Sequence, residues 1–202
     1  ELVEKAVAMD SVEANKVGYI KALAASYDAQ KKFAEAGFWY GKVINVKKNY
    51  TNADLFNSGY AYYQAGMYDS SNVMFAKYAE KYPTDIFGYY MLANSNAIMD
   101  STGQLGLAAP YYKKVIEIGE SDTTKTAVKT RLLVAYKYFI GYEYNVNKDQ
   151  AAALVYVEKA LAIDPTSAEL LSNKEFISKN DPKSPPKKPA GPSTKSAATS
   201  QK

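Results

Sequence analysis

The chain has 202 residues, 47% of them hydrophobic, which is enough to build a core and excludes a wholly disordered protein. Its net charge of +4 lies in residues 181–202, where Lys183, Lys187, Lys188, Lys195 and Lys202 stand against Asp181; the remainder is electrically balanced, which argues against nucleic acid as its ligand. Cysteine and histidine are both absent, which excludes disulfides, thiolate metal sites and the commonest general base and metal ligand.

The first segment, residues 1–10, reads as mid-helix from Glu1 onward. Opening on Glu1 rather than Met points to a processed or truncated product whose targeting segment has been lost. No signal peptide is present, and no apolar run approaches the roughly 20 residues needed to cross a bilayer.

From there to residue 180 apolar residues recur at spacings of three and four, and strand-like alternation is scarce. Residues 17–50 form a first unit, with Leu23, Ala24 and Tyr27 on one predicted helix and Phe33, Ala36, Tyr40 and Val43 on a second. Residues 52–85 form the clearest unit, with Gly59 and Tyr62 on its first helix, Gly66 and Tyr68 at the turn, and Ser71, Phe75 and Pro83 in and after its second. Residues 86–122 repeat the arrangement with Leu92, Ala93 and Asn96, then Ala108, Tyr112 and Val115, and lengthen the turn to DSTGQLG. Residues 134–167 repeat it with Ile140, Gly141 and Tyr144, then Ala153, Val157, Ala160 and Pro165. An extra helical stretch from about Thr124 predicts a long first helix for this fourth unit, reaching about Val146.

A period in the thirties with one small residue recurring on each second helix, at 36, 71, 108 and 153, resembles the 34-residue tetratricopeptide repeat. The resemblance implies an all-α, right-handed superhelical solenoid of antiparallel helix pairs. Small residues let paired backbones approach and neighbouring aromatics fill the groove toward the next pair. One pair leaves a face bare, so at least three must stack; four are predicted, preceded by the half repeat 1–10. A capping helix over 167–179 follows, expected to turn Leu170, Leu171, Phe176 and Ile177 inward. The combination of GLAAPYYKKVIEIGE, a lengthened helix and GYEYNVNKDQAAALVYVEKALAIDP, in a chain with 19 tyrosines, is further similar to repeat proteins that Bacteroidetes bacteria export to the cell envelope. That similarity implies a periplasmic or cell-envelope location, with the cytoplasm as the alternative.

No reacting group for an enzyme emerges. The acids are scattered singly, as Glu117 and Glu120 are, and Gly103 and Gly106 lack the Lys-Ser/Thr that follows a phosphate-binding loop. The reading is therefore non-catalytic, with no cofactor, no metal and no nucleic acid. A solenoid of this type offers a concave groove lined by the first helix of each pair. Its groove-facing positions are Lys21, Ala25 and Asp28; Phe56, Asn57, Tyr60 and Tyr63; Phe87, Tyr90, Asn94 and Ala97; and Tyr138, Tyr142 and Asn145. Tyrosines there suit an extended peptide or a partner helix, whereas Tyr27, Tyr40, Tyr62, Tyr112 and Tyr144 sit at pattern positions that pack the solenoid.

Repeat proteins that grip the C-terminal carboxylate of chaperones use a Lys and Asn, an Asn, then a Lys and Arg on successive first helices. The matching positions here are Lys21, Ala25, Asn57, Phe87 and Met91, and only Lys21 and Asn57 fit. Residues 181–202 carry five of the eight prolines and no large apolar side chain, and are expected to be a flexible tail. The tail is either a solvated extension or a segment, PKSPPKKP, that lies along a partner. Three functions follow: a scaffold or adaptor binding a protein or peptide in its groove, a permanent structural subunit with its tail on a neighbour, and an accessory domain of an enzyme whose chemistry lies in other sequence. Oligomeric state is left open.

Overall fold

A computed structural model describes residues 2–121 and 123–184, so the expected tail beyond residue 184 lies outside the described residues. Among the described residues there are ten α-helices and no strand: α1 (Leu2–Met9), α2 (Glu13–Ala29), α3 (Phe33–Val46), α4 (Asn52–Gln64), α5 (Tyr68–Lys81), α6 (Ile86–Met99), α7 (Ala109–Gly119), α8 (Thr126–Asn145), α9 (Gln150–Ile163) and α10 (Ala168–Lys179). Each packs on the next in sequence, so α2/α3, α4/α5, α6/α7 and α8/α9 form antiparallel hairpins between α1 and α10.

The small residues are what bring the hairpins together. Ala36, Ser71, Ala108 and Ala153 are each 1% exposed or less. A Cβ on Gly59 would come within 2.9 Å of the Phe75 ring inside the second hairpin, and one on Gly88 within 2.8 Å of Tyr78, across the junction of the second and third. Serine hydroxyls settle in the same seams, Ser58 Oγ donating to the Gly37 carbonyl and Ser71 Oγ to that of Gly59, both at 2.9 Å. At such contacts a buried hydroxyl must find an acceptor to be tolerated.

Helix limits follow local chemistry. Thr51 and Asp54 close a capping box on α4, and Asp85, Asp149 and Ser167 cap α6, α9 and α10 through their side chains. The hairpin turns pass through left-handed backbone at Lys31 (φ 58°), Gly66 (φ 73°) and Lys148 (φ 55°). The longer turn between α6 and α7 is a run of tight bends. Its glycines Gly103 and Gly106 have φ of 69° and 66°, and the amides of Gly103, Gly106 and Ala109 donate to the carbonyls three residues earlier.

The core runs as three clusters along the solenoid. The first holds Ile20, Ala24, Trp39 and Val43, the second Leu55, Phe75, Tyr78, Met91 and Leu92, and the third, the largest, is built around α8. The long α8 buries Leu132, Ala135, Tyr136, Phe139 and Ile140, a stripe at helical spacing. Of the five tyrosines expected to pack the solenoid, Tyr112 is 4% exposed, and Tyr27, Tyr40, Tyr62 and Tyr144 are half-buried.

The expected inward face of α10 needs correction. Leu170 and Ile177 are buried, but Leu171 and Phe176 are 49% and 55% exposed. A terminal helix has neighbours on one side only and buries one narrow stripe. Leu170 and Ile177, two turns apart, occupy it, and Leu171 and Phe176 flank it. Phe176 still meets the edge of the Tyr144 ring, at 5.9 Å.

Candidate functional site

Aromatic side chains of the first helices α4, α6 and α8 form a strip of two ring groups, one spanning α4 and α6 and the other on α8. On α4, Phe56 and Tyr60 stack at 5.2 Å with an interplanar angle of 11°, and Tyr60 and Tyr63 continue at 6.3 Å and 9°. Phe56 reaches Phe87 of α6 at 5.5 Å. On α8, Tyr138 and Tyr142 stack at 5.7 Å, and Tyr138 lies 4.8 Å from Tyr112. Tyr60 is 40% exposed, and Phe56, Tyr63, Phe87, Tyr90, Tyr138 and Tyr142 are half-buried, so their ring faces are shared between packing and solvent.

The hydroxyls of this strip converge. Burial raises the Tyr63 hydroxyl above the ordinary tyrosine range, and Tyr68, Tyr90 and Tyr60 add to it. Burial acts on Tyr112 more strongly, followed by Tyr90, Tyr63 and Tyr138. Tyr138 is pushed up to about 12 by burial, then by Tyr142 and Asp100. These groups stay neutral at ordinary pH and serve as donors and acceptors rather than as bases.

Two candidate residues are already engaged. Asn94 Oδ1 accepts the Tyr112 hydroxyl at 2.7 Å. Lys21 places its ammonium 2.6 Å from Asp54 Oδ1, while Lys47 holds Oδ2 at 2.7 Å. Burial by itself would raise the Asp54 carboxyl, but Lys21, Lys47 and Thr51 outweigh it and hold the group well below the usual carboxylate range. Asn57 and Tyr60 line an open cavity of about 410 Å³ together with Asp28, Lys31 and Gln64.

One contributor escaped the sequence reading. Arg131, the chain's single arginine, lies over Phe87 at 5.1 Å and Tyr90 at 5.7 Å, bridging α8 to α6. It stands two helical turns before Tyr138 on the same stripe, and that spacing was the available signal.

No family model matches the chain, and no curated protein matches it. Among solved structures, the C-terminal part of a TPR repeat-containing protein from Cytophaga hutchinsonii is similar, with a TM-score of 0.71 and 26% identity over 85% of this chain. The fold is a TPR-like, all-α solenoid of antiparallel helix pairs. The chain spans 64% of that structure, slightly under two thirds of its length.

Among the described residues no cluster of three acidic side chains is arranged to hold a metal ion, and no helix is long and apolar enough to cross a membrane. What the strip can do chemically is offer ring faces, hydroxyls, the Asn57 amide and the Arg131 guanidinium to a guest lying along the groove.

Proposed function

We propose that this TPR-like solenoid is a non-catalytic scaffold or adaptor that holds a peptide or a partner protein along a concave aromatic groove. The observation that carries the reading is the ring group of Phe56, Tyr60, Tyr63 and Phe87, joined by Arg131, over Phe87 and Tyr90, to the helix that carries the Tyr138–Tyr142 stack, and partly open to solvent although it links three hairpins. Stacked neighbours restrain these rings before any guest arrives, so binding orders few side chains, and that keeps the entropic cost of association low. Capture from native extract, quantified by mass spectrometry, tests it. Partners retained by the wild-type chain should be lost with Tyr60→Ala/Tyr63→Ala, and undiminished capture would sink the groove as the binding surface.

The location proposed is the periplasm or cell envelope of a Bacteroidetes-type bacterium. It is supported by the resemblance noted in the repeats and by the Cytophaga origin of a similar structure. Cell fractionation tests it, and recovery in the cytosolic fraction overturns it.

A further inference from the structure

The α6–α7 turn and the end of α8 enclose a second cavity, of about 250 Å³, lined by Ala97, Asp100, Thr102, Tyr138, Gly141 and Asn145, among others. Ala97, Tyr138 and Asn145 are among the positions expected to line the groove. Two of its walls are chemically unsettled. Asp100 is 6% exposed, yet no lysine or arginine pairs with it among the described residues; its Oδ2 accepts a long contact from the Leu107 amide, at 3.4 Å. The Tyr138 hydroxyl is buried and makes no hydrogen bond of good geometry, with the Ala109 amide close to it. A buried carboxylate without a counter-charge is costly, and Asp100 and Tyr138 both line this cavity.

We infer that this cavity is a subsite for one cationic side chain, the ammonium of a lysine or the guanidinium of an arginine, carried on a peptide segment lying in the groove. Such a head donates to the Asp100 carboxylate, and its alkyl stem lies against the stacked rings of Tyr138 and Tyr142. A divalent metal fits the lining poorly, because it asks for several oxygen ligands and the wall supplies one carboxylate. Two features keep the space open. Gly141 lies on the cavity wall, and a Cβ there would meet nothing closer than Asn145 Nδ2, at 3.9 Å. The bends at Gly103 and Gly106 hold the turn as the opposite wall, with Gly106 so close to Tyr142 that a Cβ would come within 2.6 Å of its hydroxyl.

The basic side chain has two possible sources, a separate protein or this chain's own residues 183–202, which hold five lysines. The second is within reach. The Tyr144 hydroxyl donates to the Asn180 carbonyl at 3.0 Å, so the chain leaves the solenoid beside the end of α8 whose Asn145 and Val146 wall the cavity. Six residues lie between Asn180 and Lys187, and extended backbone spans about 3.3 Å per residue.

The inference rests on the groove reading and is tested apart from it. Full-length chain, and full-length chain with Lys183, Lys187, Lys188, Lys195 and Lys202 replaced by Gln, are titrated with n-butylammonium and n-butylguanidinium while the Tyr138 and Tyr142 ring signals are followed by NMR. Saturable shifts at these two rings are expected. They should be about tenfold weaker with Asp100→Asn, which keeps an acceptor for the Leu107 amide, and abolished with Gly141→Leu, which fills the space. No saturable shift in either chain, equal binding to Asp100→Asn, or equal binding of neutral n-butanol overturns the subsite and leaves a water site or an apolar hole. Tighter probe binding to the lysine-free chain identifies the chain's own segment as the competing occupant, and equal binding assigns the occupant to another protein. If the probe fails while Tyr60→Ala/Tyr63→Ala still abolishes capture, only the subsite is wrong. If the probe binds and capture is undiminished, the groove reading falls and the pocket stands.

Discussion

Asp54→Asn is the sharpest test of how the first two hairpins are joined. Asp54 is 2% exposed and serves three partners: Lys21 of α2, Lys47 just after α3, and Thr51, with which it caps α4. The substitution keeps the shape and removes the charge, leaving two ammonium groups facing a neutral amide. Breaking a fully buried pair costs about 3–5 kcal/mol, but the Lys21 and Lys47 side chains are 40% and 26% exposed and regain water, so the expected loss is about 2–3 kcal/mol. Urea denaturation followed by circular dichroism measures it, and hydrogen exchange locates it. Protection should fall most in α1 to α3, because a repeat array loses stability locally when one junction weakens. The pH dependence follows from the depressed carboxyl. The stabilisation is complete above the ordinary aspartate value of about 4 and is lost as pH falls through the lower folded value, so the acid limb of the stability profile should flatten in the variant. A loss under about 1 kcal/mol with an unchanged acid limb would refute the assignment of Asp54 as the junction's electrostatic centre.

Phe75→Ala removes a ring that is 0% exposed and packed against Gly59, Tyr78 and Phe87, and should cost about 3–5 kcal/mol by the same denaturation assay. Lys148→Gly relieves a side chain at φ 55° and should stabilise the chain by up to about 1 kcal/mol, seen as a raised thermal midpoint. Burial, followed by Asp85, pushes Tyr78 up to about 12, and Tyr138 reaches about 12 as well. Each stabilises the fold fully below the unfolded tyrosine value of about 10 and loses that contribution as pH rises through the folded value. Alkaline titration of tyrosinate absorbance should therefore show an early exposed class and a late class that ionises together with loss of helicity; a single class would contradict the burial.

The hairpin framework was legible in the residues because its physics is local and periodic. Small residues at 36, 71, 108 and 153 and the rings near them mark where helices approach, and the long run from Thr124 marked α8 before any coordinate was known. The pattern could not say which side of a terminal helix has a neighbour. Leu171 and Phe176 read as inward on composition, and they are exposed because nothing packs beyond α10 on their side among the described residues. Candidate groove positions were likewise readable from spacing, but their availability was not. Whether Lys21 is open or tied to Asp54, and whether Asn94 is open or tied to Tyr112, depends on partners 33 and 18 residues away.

By itself, then, the sequence determined the helical repeat, the small-residue seams, the aromatic character of the first helices and the lack of histidine and cysteine chemistry. These follow from side-chain type and a period that every hairpin repeats. Only the tertiary structure decided that Arg131 lies across Phe87 and Tyr90, that Asp54 binds two lysines from the preceding hairpin, and that Asp100 and Tyr138 face one cavity without charged partners. Those arrangements join residues far apart in the chain, and stacking of hairpins, not the local period, sets the distances between them.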